Sequence, residues 1–237
     1  SNVGTLLDDL SFRIAVALRL GCKLCQPHKC ICGSWVDTYG HHGLRCPKSA
    51  GRFSRHFQLN DIIRRALISA KVPAVLEPVG INRTDGKRPD GLTLIPWTKG
   101  RSLIWDATCV DTLAPSHLTS TSKTTGSAAA SAANKKLNKY RDLVDQYFFV
   151  GFAVETMGPW CKEAKALVLD IGRRLISATG DTRSCQYLGQ RSSIAIQRGN
   201  ATSIMGPAAE SSALDQIFYL LSFSSSSPLP SFFLFLL

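Results

Sequence analysis

The stretch from Leu76 to Thr112, LEPVGINRTDGKRPDGLTLIPWTKGRSLIWDATCVDT, sets charged side chains inside segments that read as short apolar strands. Its acids are Glu77, Asp90, Asp106 and Asp111. A carboxylate in such a strand is costly to bury unless a cation or a metal ion meets it. In SLIWDATCV, period-two alternation sends Leu103, Trp105, Ala107 and Cys109 to one face and Ile104, Asp106, Thr108 and Val110 to the other. GLTLI precedes it, introduced by Lys87, Arg88, Pro89 and Asp90, and the intervening PWTKG reads as a hairpin turn. The hairpin brings Asp90 and Asp106 together at one end of a sheet. Two carboxylates at that range repel, and a divalent cation is the usual remedy.

Gly21 to Cys46, GCKLCQPHKCICGSWVDTYGHHGLRC, holds five of the eight cysteines and three of the five histidines. Zinc takes four nitrogen or sulfur ligands, commonly as two closely spaced pairs. Cys30 with Cys32 forms one pair and His42 with Cys46 the other, with Gly33 and Gly40 allowing tight turns between them. Four protein ligands leave no open position, so this zinc is structural rather than catalytic. Cys25 and His28, with Cys22, are candidates for a second site or for exchange with the first. Cysteines grouped with histidines, and no signal peptide at the start, suit a reducing compartment. Cys109, Cys161 and Cys185 show no ligand spacing and read as plain thiols.

Around these stretches the pattern is that of a mixed α/β fold. Helices are expected from Leu6 to Leu20, through SAGRFSRHFQLNDIIRRALISA, through AAASAANKKLNKYRDLVDQY, and through PWCKEAKALVLDIGRRLISATG with Pro159 in its first turn. LAPSHLTSTSKTTGS reads as a loop, and FFVGFAV as a strand covered on both faces. Asp181 opens a further helical stretch, in which Arg191 and Arg198 are candidates for contact with a nucleic-acid backbone. Lys and Arg outnumber Asp and Glu by 28 to 17, a net charge of +11 that points to a polyanionic partner.

Pro89-Asp90, followed across a hairpin by Asp106, resembles the PD-(D/E)xK nuclease core, the restriction-endonuclease-like fold. The resemblance makes Glu77 the upstream acid, and implies that Glu77, Asp90 and Asp106 hold Mg²⁺ or Mn²⁺. Thr108 stands where the family places a lysine two residues after the second acid. In some members that lysine lies on a neighbouring helix, which makes Lys136 and Lys139 the substitutes, Lys139 first. The order Cys/His knuckle, SAGRFSRH, GKRPDGLTL, LIWDATCVDT, KYRDL, VETMG and LGQRSSIAIQRGNATSIMG is similar to the C-terminal region of non-LTR retrotransposon reverse-transcriptase proteins, over roughly Leu10 to Gly206.

That resemblance implies a nuclear endonuclease nicking duplex DNA to expose a 3′ hydroxyl for priming, with element RNA as a further partner. It divides the chain into an N-terminal helix (1–20), a zinc knuckle (21–50) and a restriction-like domain of mixed sheet and flanking helices (51–207). Arg52, Arg55, His56, Lys87 and Arg88 would seat the DNA. The low-complexity tail from 208 to 237 shows no family similarity, and its apolar ends are too short to cross a bilayer. No membrane or obligate protein partner is implied. Two other functions remain open: a decayed zinc-containing DNA-binding remnant, favoured by Thr108, and a zinc-stabilised protein-interaction module whose acids form ordinary ion pairs.

Overall fold

A computed structural model describes residues 4–81 and 86–206, so the tail lies outside the described residues. Helix α1 (Asp9–Leu20) starts later than the apolar spacing from Leu6 suggests, because Asp8 caps it by accepting the Ser11 N–H at 2.8 Å. Gly21 ends it in the left-handed region at φ 65°. The hairpin β1 (His28–Lys29) and β2 (Trp35–Val36) and the single-turn helix α2 (His42–Arg45) make up the Cys/His segment. Helix α3 (Ala50–Ser69) then buries Leu59, Ile62, Ile63, Ala66 and Leu67, the stripe expected from their spacing.

The main sheet is mixed. Strands β3 (Ala74–Leu76), β4 (Gly91–Thr93), β5 (Leu103–Val110) and β6 (Phe148–Glu155) lie in that order. The first three are antiparallel neighbours, and β6 runs parallel to β5 with Asp106 opposite Gly151. A parallel pair needs a crossover. Here it is made by α4 (Pro115–Thr121) and α5 (Ser127–Lys139), and α6 (Lys162–Thr179) and α7 (Ser184–Met205) complete the chain. Helices α3 and α6 pack on one face of the sheet and on each other, α5 covers the other face, and α7 lies across α3 and α6. Trp105 points toward α3, donating its indole N–H to Asn60 at 2.9 Å, and Asp106 points toward α5, as the alternation along β5 requires.

Three expectations need correction. The segment expected as a loop before α5 contains α4, started by Pro115 in its first turn. The helix expected to run on past Lys139 stops there. Tyr140, fully buried beside Phe149 with ring centroids 5.2 Å apart, leaves helical geometry at φ −108°, and Arg141–Leu143 forms a 3₁₀ turn. Pro159 lies ahead of α6 rather than within its first turn, since Cys161 is the N-cap, its sulfur accepting from the Ala164 N–H at 3.4 Å.

Close approaches at glycine fix how these layers meet. A Cβ on Gly91 would lie 2.1 Å from the Trp105 ring. One on Gly151 would lie 3.0 Å from the Ala133 carbonyl oxygen, which is how α5, through buried Ala128, Ala129 and Ala133, settles low on β6. Glu155, at the end of β6, accepts the Ala128 and Ala129 N–H groups at 3.1 and 3.2 Å and so caps α5 from the sheet.

Across the other face, Gly51 of α3 faces the Gly199 carbonyl of α7, where a Cβ would meet that oxygen at 2.3 Å. The obstacle is backbone, which cannot rotate away. Gly51→Ala should therefore destabilise the protein by about 1–3 kcal/mol. A lowered urea midpoint checks this, and an unchanged midpoint would refute the close α3–α7 crossing.

Candidate metal centre and carboxylate site

The zinc donors come from three short turns. The chain reverses after Cys30, whose N–H donates to Ser34 O at 2.9 Å, with Gly33 at φ 91°. Helix α2 presents His42 and delivers Cys46 at its end, where the Cys46 N–H donates to His42 O at 2.9 Å. One donor atom each from Cys30, Cys32, His42 and Cys46 lies within 4.8 Å of every other. Cys30 Sγ is 3.6 Å from Cys46 Sγ, and Cys32 Sγ is 3.2 Å from His42 Nε2. A tetrahedron with zinc–sulfur bonds near 2.3 Å spaces its sulfurs at about this range, so the four fit a zinc ion. Burial raises the Cys30 thiol, whereas hydrogen bonds from Ser34 lower Cys32, so Cys32 is the readier thiolate.

Cys25 and His28 do not join this cluster. Cys25 is fully buried and donates its S–H to Asp37 O at 3.3 Å, burial pushing its thiol up to about 11. It packs with Leu24, Val36, Leu44 and Cys46 of the knuckle, Ile14, Ala17 and Leu18 of α1, and Ala201 and Ile204 of α7. His28 faces back onto its own turn, Nδ1 lying 2.8 Å from Gln26 O. The knuckle and the sheet domain, expected as successive units, thus share α7.

Asp90 and Asp106 come to neighbouring register positions where β4 pairs with β5, but their carboxylates turn to different partners, Asp90 toward α3 and Asp106 toward α5. The Asp90 N–H donates to Trp105 O at 2.9 Å. Its carboxylate Oδ2 accepts from the Ala107 N–H at 2.7 Å and the Asn60 amide at 3.2 Å, and lies 2.9 Å from His56 Nε2. Burial opposes ionisation of Asp90, but these donors outweigh it and hold its carboxyl below the ordinary range. The Asp90 hydrogen bond in turn raises His56, against burial, with Asp106 adding to the rise and Lys136 opposing it. Asp90 Oδ1 accepts no hydrogen bond among the described residues.

Asp106 is buried, with 3% of its side chain exposed, and both its oxygens face ammonium groups of α5: Oδ1 pairs with Lys136, and Oδ2 with Lys139 at 3.3 Å. Lys139 also donates to the Tyr140 hydroxyl at 2.7 Å, and that hydroxyl donates to Arg88 O at 2.7 Å, tying α5 to the segment leading into Asp90. Two lysines of the crossover helix therefore face Asp106. Of the two candidates, Lys136 makes the closer contact.

Two expected site residues are placed otherwise. Glu77 joins the others only through its backbone N–H, which donates to Asp90 O at 2.8 Å. Its backbone is left-handed at φ 48°, and its carboxylate, 69% exposed, pairs with Arg88. Arg55 is not on the surface. It is 1% exposed and donates to Gly199 O, Asn200 Oδ1, Ser203 Oγ and Leu44 O at 2.8–3.2 Å, a role set by α7. Arg52, His56, Lys87 and Arg88 are exposed, and His56 bonds to Asp90. Asn60, which joins Asp90 to Trp105, was missed, though its place one turn after His56 was a usable signal.

The zinc assignment predicts that purified protein carries one equivalent of zinc, lost in Cys46→Ser and retained in Cys25→Ser, as a metal assay would read. The His56–Asp90 pair predicts a pH-dependent stability in buffer without added Mg²⁺. His56 is raised, so its contribution is full below about pH 6.5 and fades as pH rises through the folded value; Asp90 is lowered, so its share fades only in acid. Because the His56 side chain is 48% exposed, the loss in His56→Gln should stay below about 1 kcal/mol at pH 6 and shrink by pH 8. A loss that grows with pH would contradict the pairing. No helix among the described residues is long and apolar enough to cross a membrane. No protein-family profile matches this chain, and no characterised protein matches it significantly, so this site is read from its own residues and geometry.

Proposed function

We propose that this chain is a metal-dependent DNA endonuclease of restriction-like fold, belonging to the C-terminal part of a non-LTR retrotransposon protein and working in the nucleus. Its reaction is hydrolysis of one strand of target DNA to leave a 3′ hydroxyl from which element RNA is copied. The observation that carries the reading is the pair of α5 lysines on Asp106, across the β4–β5 pairing from Asp90. It supplies from a helix the cation that Thr108 does not.

Asp90, through its uncommitted Oδ1, and Asp106 are the residues that would hold Mg²⁺ or Mn²⁺. When bound, the ion supplies Lewis-acid charge on the phosphate and a more acidic water. Glu77 is paired with Arg88 and is not needed for a cation that keeps several of its own waters. The rest falls to the chain. Asp106 carries one negative charge against two ammonium groups, so the surplus positive charge attracts a phosphodiester. Lys136 and Lys139 then stabilise the extra charge that develops on phosphorus oxygens as water attacks and the bond to the 3′ oxygen breaks, that oxygen taking up a proton. His56 and Asn60 hold Asp90 in place. Arg52, Lys87 and Arg88 contact the backbone, which positions DNA without reading sequence and makes binding fall steeply with salt.

Supercoiled plasmid should be nicked with Mg²⁺ or Mn²⁺ present. Asp106→Asn should abolish nicking, and Lys136→Ala should slow it on the order of a hundredfold. Salt-sensitive DNA binding without nicking would identify the decayed remnant instead, with Thr108 as the lesion. Neither nicking nor binding would leave only the zinc module.

A further inference from the structure

The three sulfurs of the Cys/His cluster are not equivalent. Cys30 and Cys46 are buried, 4% and 0% exposed, and their sulfurs lie 3.6 Å apart. Cys32 is only half-buried, and its sulfur turns to His42 Nε2 at 3.2 Å. A disulfide holds its sulfurs at about 2.05 Å, so the Cys30 and Cys46 sulfurs need to close by only about 1.5 Å. Cys25 and Cys161 offer no such pair, since their thiols donate to the backbone carbonyls of Asp37 and Gly151 at 3.3 and 3.4 Å.

The backbone around this pair is held by contacts that need no metal. The Cys30 N–H donates to Ser34 O and the Cys46 N–H to His42 O, both at 2.9 Å. Between the two cysteines, Val36 and Leu44 belong to one buried cluster with Ile14, Ala17 and Leu18 of α1 and Ile204 of α7, and Arg55 donates to Leu44 O at 3.0 Å. Loss of the ion therefore leaves Cys30 and Cys46 facing each other across a closed loop. A small zinc module whose only core is the metal would instead unfold.

We propose that Cys30 and Cys46 form a peroxide-driven, thiol-reversible disulfide that releases zinc from the knuckle. Cys32, the sulfur that solvent reaches, attacks hydrogen peroxide: an S–O bond forms, the O–O bond breaks and hydroxide leaves. The Cys46 thiolate, within 4.8 Å, displaces the remaining oxygen as hydroxide and makes an S–S bond to Cys32. Cys30 then attacks the Cys46 sulfur and frees the Cys32 thiolate. Two thiolates have lost two electrons, and one peroxide has become two hydroxide ions. Cys32 and His42 remain, two ligands where a structural zinc takes four, and the ion departs. A small thiol of the glutathione class supplies the two electrons that restore the site. This chemistry needs zinc on the four donors and is independent of the nuclease reading.

The test treats the zinc-loaded full chain with hydrogen peroxide, reads released zinc with a chromogenic chelator and maps disulfides by mass spectrometry of unreduced peptides. One zinc per chain should be released together with a peptide pair joined through Cys30 and Cys46, and glutathione with added zinc should reload the protein. Cys25→Ser should release zinc as the wild type does. Metal-free Cys32→Ser should form the Cys30–Cys46 link more slowly than metal-free wild type, a comparison that needs no zinc binding by the variant. Zinc retained through peroxide treatment overturns the switch. So does zinc released with Cys32 carried to a sulfinic acid and no Cys30–Cys46 link. A chain that neither carries nor takes up zinc removes the metal centre itself, and the switch with it.

Discussion

Asp106 lies in the middle of β5 with almost no solvent contact, and its carboxylate faces two ammonium groups that belong to another element. Desolvating such a group costs several kcal/mol unless cations answer it at close range. The cations stand near the last turn of α5, so α5 must be held at a fixed height and rotation over the sheet. Gly151, opposite Asp106 on the neighbouring strand, permits the approach, since any side chain there would meet Ala133. Glu155 holds the far end of the same helix by its first free N–H groups. An alanine-rich helix, a glycine in the edge strand β6 and a buried glutamate are thus parts of one arrangement that neutralises one carboxylate.

Arg55 does for the N-terminal half what the α5 lysines do for the sheet. Its guanidinium reaches the end of α2 through Leu44 O and the α7 backbone and side chains through Gly199, Asn200 and Ser203. Three of these acceptors meet one terminal nitrogen of the guanidinium and the fourth meets the other, two separated donor sites that a lysine could not supply with its single ammonium, while Nε has no partner among the described residues. The knuckle, α3 and α7 are therefore locked by a polar joint, and the glycines at 43, 51 and 199 allow the backbones close enough for it. A zinc ion on Cys30, Cys32, His42 and Cys46 would tighten the side of this joint that has few regular hydrogen bonds of its own.

What was legible in the sequence is what local spacing determines. The Asp90–Asp106 hairpin follows from period-two alternation around a Pro/Gly turn, and the zinc donors from two pairs bracketed by glycines. The stripe of α3 and the doubly covered β6 also follow from periodicity. What was not legible depends on distant partners. Arg55 looked like one more basic residue at the start of a helix, because its acceptors on α7 lie 144 to 148 residues away. Glu77 looked like a site acid by order along the chain, but its left-handed backbone and the neighbouring Arg88 turn it outward. Choosing Lys136 over Lys139 required the rotation of α5, which is set by the Gly151–Ala133 contact and has no signature in the helix itself. The restriction-like fold and the activity rest on the resemblance of motifs, which spacing alone does not establish.

The charges around Asp90 and Asp106 differ. Asp90 is held ionised by His56, Asn60 and the Ala107 N–H, none of which is a fixed cation at neutral pH, whereas Asp106 faces two that are. The acids are therefore unequal: Asp90 keeps an oxygen and much of its charge for a ligand, and Asp106 is already neutralised. A divalent cation would be drawn first to Asp90, and would compete with ammonium groups for Asp106. On the proposed reading, a phosphate entering beside it would change that balance, because an anion could take over one lysine and release an oxygen of Asp106. On the proposed nuclease reading, substrate and metal would therefore bind more tightly together than apart.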